Sequence, residues 1–188
     1  MKKTFFLSAL IVFVSLMALS AQETNNPGFT ILNHYAARDF TAGAIPKADL
    51  DRILQAGINA PSARNRQPWH FTVVQNQQLA KKLVSNVAEG NVLIVISAAG
   101  DGKTNGSEIL DCGLATESIY LAAQALGYGS RIYTGPMDAL NRSLKGDLAL
   151  PNKHSAVALV RVGRVPAGTD AVSAASSRRS PDSMVTWK

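Results

Sequence analysis

Ala60-Pro61-Ser62-Ala63-Arg64-Asn65-Arg66-Gln67-Pro68-Trp69-His70-Phe71 is the most informative stretch of this 188-residue chain. An amphipathic helix precedes it. Pro46 suits a first turn, and Leu50, Ile53, Leu54, Gly57 and Ile58 recur at helical spacing until Pro61 stops the helix. A strand of aromatic and β-branched residues, Trp69 to Val74, follows. Two prolines restrict the intervening backbone, and Ser62, Asn65 and Gln67 stand between them with donors and acceptors in fixed positions. Such a loop beside a core tryptophan suits the edge of a flat heteroaromatic ring. Equally, its polar groups could satisfy only their own backbone.

Outward from this stretch, helical and strand patterns alternate. Gln77 to Val87 has a helical apolar side, and Val92-Leu93-Ile94-Val95-Ile96 is a continuous apolar run expected of a strand covered on both faces. Gly100 to Gly106 is a polar loop, and Ser107 is placed to cap a helix running to about Leu126. That helix is apolar nearly all round, which requires burial on most sides. A small domain offers little room for this, so a subunit interface is its expected home. Gly127 ends the helix. Arg131 to Tyr133 reads as a short strand, Met137 to Lys145 as a helix, and Ala156 to Val162 as a buried strand. From Gly163 onward no periodic core face exists, as in an extended tail. The alternation predicts an α/β or α+β sandwich.

The chain opens with Lys2 and Lys3, an apolar run from Phe5 to Leu19, and the small residues Ser20 and Ala21. This is the pattern of an export signal over residues 1–21, too short to span a membrane stably. It predicts a periplasmic or secreted protein whose single domain covers residues 22–188, with a core at 29–165 and a tail at 166–188. The formal charge of +6 falls to about +4 without the two leading lysines. The basic residues form no dense aromatic-interleaved stripe, so nucleic acid is not an expected partner. One cysteine, Cys112, excludes an intrachain disulfide, and three scattered histidines give no metal-ligand spacing.

The loop pattern A-P-S-x-x-N-x-Q-P-W-x-F, after a helix of the type P-x-x-D-L-x-x-I-L-x-A, resembles the FMN-binding signature of the nitroreductase family. Ala36-Ala37-Arg38-Asp39-Phe40 is similar to that family's opening arginine motif. Asp111-Cys112-Gly113 with Leu126-Gly127-Tyr128-Gly129-Ser130 resembles its long helix and glycine turn. Val162 to Pro166 resembles the end of its last core strand, and Arg178-Arg179-Ser180-Pro181 its C-terminal basic motif.

The resemblance implies an α+β fold: a central mixed β-sheet flanked by helices, a long buried helix at a homodimer interface, and a C-terminal tail exchanged between subunits. It implies FMN as cofactor. Arg38 with Arg178 or Arg179 would bind its phosphate, and Pro61, Ser62 and Asn65 would meet the ring and ribityl chain. Gly127, Tyr128 and Gly129 would offer backbone amides, and His34, Tyr35 and Ala36 would flank the phosphate. It implies ping-pong electron transfer from a reductant such as NAD(P)H to a flat acceptor such as a nitroaromatic or quinone. The flavin carries the chemistry and no catalytic side chain is nominated.

Two departures stand out. His34 and Ala36 occupy positions where the family carries arginine and serine, exchanging a permanent cation for a pH-dependent one. The connection Ala98 to Gly106 is shorter than the flavin cover of many relatives. These departures keep two alternatives open: a non-catalytic flavin-binding or storage protein, and a cofactor-free scaffold with an interaction role.

Overall fold

The sheet is centred on β2 (Val92–Ala99), whose β-branched run is buried from Val92 through Ala98. The computed structural model describes residues 27–100 and 106–188, so the expected export signal and much of the polar loop after β2 lie outside the described residues. β1 (Trp69–Val74), β3 (Gly129–Tyr133) and β4 (His154–Gly163) complete four strands in the order β1-β2-β4-β3. Alternate residues of β2 serve two cores. Val92, Ile94 and Ile96 join Ile45, Leu50, Ile53, Ile119 and Tyr120 on one face, while Leu93 and Val95 join Ala80, Leu83, Met137, Leu140 and Leu148 on the other.

In chain order the helices are α1 (Pro27–Leu32), α2 (Lys47–Ile58), α3 (Gln77–Leu83), α4 (Gly106–Ala125), α5 (Met137–Ser143) and the one-turn α6 (Ala171–Ala174). The expected strand Trp69 to Val74 forms as read. Helix α3 is shorter than expected, because Val84 turns extended at φ −137°. Helices α2 and α4 cross closely at Gly57, where a Cβ would lie 2.7 Å from Ile119 Cγ1. Only a residue without a side chain permits this approach.

The fold class is α+β as expected, but the described sheet is antiparallel at every pairing rather than mixed. The reason lies in the connections. α3 returns the chain so that Val74 faces Leu93 like the base of a hairpin. α4 does cross over between strands of like direction, β2 and β3, but β4 inserts between them and runs against both. Helix α4 is buried along one side, through Asp111, Cys112, Ala115, Thr116, Ile119, Tyr120 and Ala123. On its other side Leu110 and Leu114 remain exposed in the single chain. The end of the chain is not wholly featureless, since it contains α6 and a 3-10 turn at Pro181–Ser183.

Buried Arg161 was not legible in the apolar pattern of β4. It is 1 % exposed, and no carboxylate pairs with it among the described residues. Its guanidinium donates to Asn91 Oδ1 at 2.8 and 3.0 Å and to the side-chain and backbone oxygens of Asn86 at 3.2 Å. It also stacks 3.9 Å over the Phe40 ring. Asn91 in turn donates to Thr41 O at 3.0 Å. Neutral acceptors thus compensate the desolvated charge and tie the segment around residue 41 to the sheet.

Candidate functional site

The proline-bracketed loop lies at the N-terminal end of α4. Three of its non-glycine residues, Arg64, Asn65 and Gln67, adopt left-handed φ values of 56°, 54° and 47°. Each such residue costs about 1–2 kcal/mol of backbone strain, and clusters of them mark functional sites. Local bonds hold the shape. Ser62 O accepts from Asn65 N at 3.0 Å, Ser62 Oγ accepts from Gln67 N at 3.0 Å, and Gln67 Nε2 donates to Asn65 Oδ1 at 3.1 Å. The side-chain oxygens of Ser62 and Asn65 are therefore engaged within the loop, while Pro61 and Asn65 stay exposed.

Helix α4 fixes this loop at two points. Asp111, 2 % exposed, accepts from Ala63 N through Oδ1 at 3.0 Å. Arg66 pairs with Glu108 at 3.4 Å and donates to Ser107 Oγ. The Glu108 carboxyl is held below its usual range by a backbone N–H, then by the Ser107 hydroxyl, with Arg66 adding a smaller pull.

A second group of expected residues gathers at the other end of α4. The segment 35–41 runs beside the start of β3. Gln124 receives Tyr35 N at 3.1 Å and donates to Tyr35 O at 2.9 Å, and Ala37 N donates to Ser130 O at 3.0 Å. Tyr35 and Ala37 are thereby buried, and Ala36 and Arg38 face outward. They line a cleft of about 230 Å³ with Asp39, Pro166, Thr169 and Ala174. Arg38 Nη2 donates to Ser176 Oγ at 3.4 Å, and Arg178 Nη1 donates to Ser176 O at 2.7 Å. Two arginines distant in sequence thus meet at one serine. Arg179 turns instead to Ser183 O at 3.2 Å.

His34 sits beside this group with Nδ1 2.8 Å from Ile31 O and its ring edge-on to Tyr120 at 5.6 Å. Burial raises the Tyr120 phenol above its ordinary pKa, and nearby Arg178 pulls more weakly the other way.

The glycine turn has a different local logic from the expected one. Gly127 N and Tyr128 N donate to Gln124 O and Ala123 O at 2.9 and 3.0 Å, so both amides finish the helix. Gly129 is required by packing, since a Cβ there would lie 2.3 Å from Val165 Cγ1 and 3.0 Å from Ala37 Cβ. Tyr128 points into the core, where its hydroxyl donates to Asp49 Oδ2 at 2.6 Å under the Arg164 guanidinium.

Asp111, Gln124 and Ser176 were not singled out as site residues from sequence. Polar side chains inside the otherwise apolar α4 were the available signal for the first two. The loop anchor Asp111 and the segment anchor Gln124 stand thirteen positions apart on α4, or about 20 Å at the helical rise. In one chain, therefore, the loop and the arginine pair occupy opposite ends of the helix.

The sequence pattern of the nitroreductase family matches residues 31–92 and 81–164. The chain belongs to the nitroreductase family. A protein of Archaeoglobus fulgidus with the provisional name NADH dehydrogenase/NAD(P)H nitroreductase is 34% identical over 143 residues, covering 71% of this chain and 82% of that protein. Among solved structures, an FMN-dependent nitroreductase from Clostridium difficile is 25% identical with a TM-score of 0.66, covering 83% of this chain and 98% of its own. A nitroreductase with bound FMN from Bacteroides fragilis is 22% identical with a TM-score of 0.70, covering 87% and 98%. The nitroreductase fold and the antiparallel sheet described above therefore agree.

Proposed function

We propose that this chain is an FMN-dependent oxidoreductase, acting as a homodimer that passes electrons from a reductant such as NAD(P)H to a flat acceptor such as a nitroaromatic or quinone. The observation that carries the reading is the meeting of Arg38 and Arg178 at Ser176 beside a solvent-open cleft. Two permanent cations with planar donor forks match a phosphate dianion, so the donor set fits the cofactor's phosphate end. Of the two C-terminal arginines, Arg178 is the better candidate for this contact. Tyr35, Ala36 and His34 would form the surrounding wall. Pro61, Ser62 and Asn65, on a loop held in strained geometry, would meet the ring and ribityl chain. Gly129 would support the phosphate segment by packing closely against Ala37, while the amides of Gly127 and Tyr128 close helix α4 and are not free for the cofactor.

Bound FMN supplies the electron-accepting ring that links donor and acceptor in alternating half-reactions. The chain's own residues bind and orient it, and none needs to move a proton. The span along α4 between loop and arginines supports a shared site, in which one chain's loop faces its partner's arginines. Exposed Ile31, Leu32, Leu110 and Leu114 on the neighbouring helices α1 and α4 supply an apolar surface for that contact. No helix among the described residues is long and apolar enough to cross a membrane. We propose further that residues 1–21 direct export to the periplasm or medium, on the strength of Lys2, Lys3 and the apolar run, leaving 22–188 as one domain.

The test is an absorption spectrum of the purified protein with and without added FMN, followed by anaerobic mixing with NADH or NADPH and then a quinone. A bound flavin that bleaches and reoxidises is expected. A protein that ignores FMN in titration refutes the reading. Flavin binding without bleaching by any donor would instead favour storage. The engagement of His34 with Ile31 and Tyr120, at the position where the family motif implies a further arginine, is the feature that favours that second reading.

A further inference from the structure

We propose that Asp111 is a positioning residue for the cofactor-facing loop, holding it in left-handed geometry through the Ala63 amide. The inference rests on the flavin reading of that loop, although its first readout does not.

Three observations support it. The carboxylate is buried on a helix that also buries Cys112, Ala115 and Ile119, where leucine would pay no desolvation penalty. Its Oδ2 has no hydrogen-bond partner among the described residues, and no cation pairs with it there. A buried carboxylate so sparsely satisfied is a poor stabiliser of packing, so its value lies in its one bond. That bond, Ala63 N to Oδ1 at 3.0 Å, grips the residue immediately before Arg64 and Asn65, two of the three left-handed positions. The remaining bonds of the turn run among Ser62, Ala63, Asn65, Arg66 and Gln67 themselves and would move with it. Arg66 with Glu108 and Ser107 is the other tie to α4, but its partners are on a solvent-accessible first turn. Asp111 is thus the buried root of the loop, and the presentation of Pro61, Ser62 and Asn65 depends on it.

The experiment compares amide hydrogen exchange, thermal midpoint and FMN affinity for the full chain, Asp111→Leu and Asp111→Asn. Leucine keeps the branching at Cγ and removes the acceptor; asparagine keeps an acceptor at the same place. Asp111→Leu is expected to speed exchange at Ala63, Asn65 and Gln67 by about tenfold to a hundredfold, the loss of one hydrogen bond to a charged acceptor. Exchange in β2 and along α4 stays unchanged and the thermal midpoint does not fall. FMN dissociation constants rise at least about tenfold in the same variant, and Asp111→Asn restores both readouts. Unchanged loop exchange in Asp111→Leu overturns the proposal. So does a general rise in exchange with a lowered midpoint in both variants, which would make the role one of core stability. A loosened loop with unaltered FMN affinity overturns it as well. If the parent chain takes no FMN, the flavin reading falls, and the exchange data still decide whether Asp111 anchors the loop.

Discussion

Replacing Arg38 by alanine separates binding from folding, because the structure gives this side chain so little else to do. Arg38 is exposed, and its hydrogen bond to Ser176 Oγ is long, at 3.4 Å. Loss of such a surface contact is worth no more than about 0.5 kcal/mol of stability. A charge-assisted bond to phosphate contributes about 1.5–3 kcal/mol, so Arg38→Ala should weaken FMN binding by about tenfold to a hundredfold. Arg178→Ala should do the same, since both residues meet at Ser176. The double variant should lose less than the sum of the two, because groups sharing one partner couple by about 0.5–3 kcal/mol. Arg179→Ala, whose side chain turns to Ser183, should bind almost as the parent does. Quenching of FMN fluorescence at fixed ionic strength measures all four. Affinity within twofold of the parent for Arg38→Ala, or strict additivity in the double variant, would refute the shared-phosphate argument.

Three other outcomes are expected. Asn91→Leu removes the acceptor of two Arg161 bonds and leaves the buried guanidinium with only its Asn86 oxygens, which should cost about 3–5 kcal/mol in urea unfolding, as two charge-assisted bonds at about 1.5–3 kcal/mol each; a loss below about 1 kcal/mol would contradict that account. Burial, and then the neighbouring His70, hold the His154 imidazole below its ordinary pKa. The unfolded chain therefore binds more protons there, so stability should be intact above about pH 6.5 and decline as pH falls through the depressed value. His154→Gln should flatten that part of the stability profile, and an unchanged profile would exclude His154 as its source. The Cys112 thiol is pushed up to about 11, chiefly by burial and then by Asp111 and Glu108. It should resist a thiol-specific disulfide reagent at pH 8 in the native protein and react once the chain is unfolded.

Local pattern carried most of the fold. The strand Trp69–Val74 was legible because prolines and polar residues bound it, and β2 because an unbroken apolar run has few other uses. Pairing direction was not legible, since a helix joining two strands serves both a crossover and a wide hairpin. Direct pairing of β1 with β2 decides the first case, and the insertion of β4 between β2 and β3 the second. The loop around Asn65 stood out through its proline brackets, but the left-handed backbone within it is invisible in residues that are not glycine. Arg161 and Asp111 escaped for a related reason. A single charge inside an apolar element acquires meaning only when Asn91, Phe40 or Ala63 arrives from elsewhere in the chain.

The contact of Arg38 with Ser176 joins positions 138 residues apart in sequence. A phosphate-bearing guest gripped from both sides there would act as a detachable clasp between the entry and the exit of the polypeptide. Loading would then be linked to resistance to heat: at a hundredfold excess over its dissociation constant the guest adds about 2.7 kcal/mol by mass action. Starving the protein of its guest would release the last stretch first, making that end a proteolytic gauge of how full the population is.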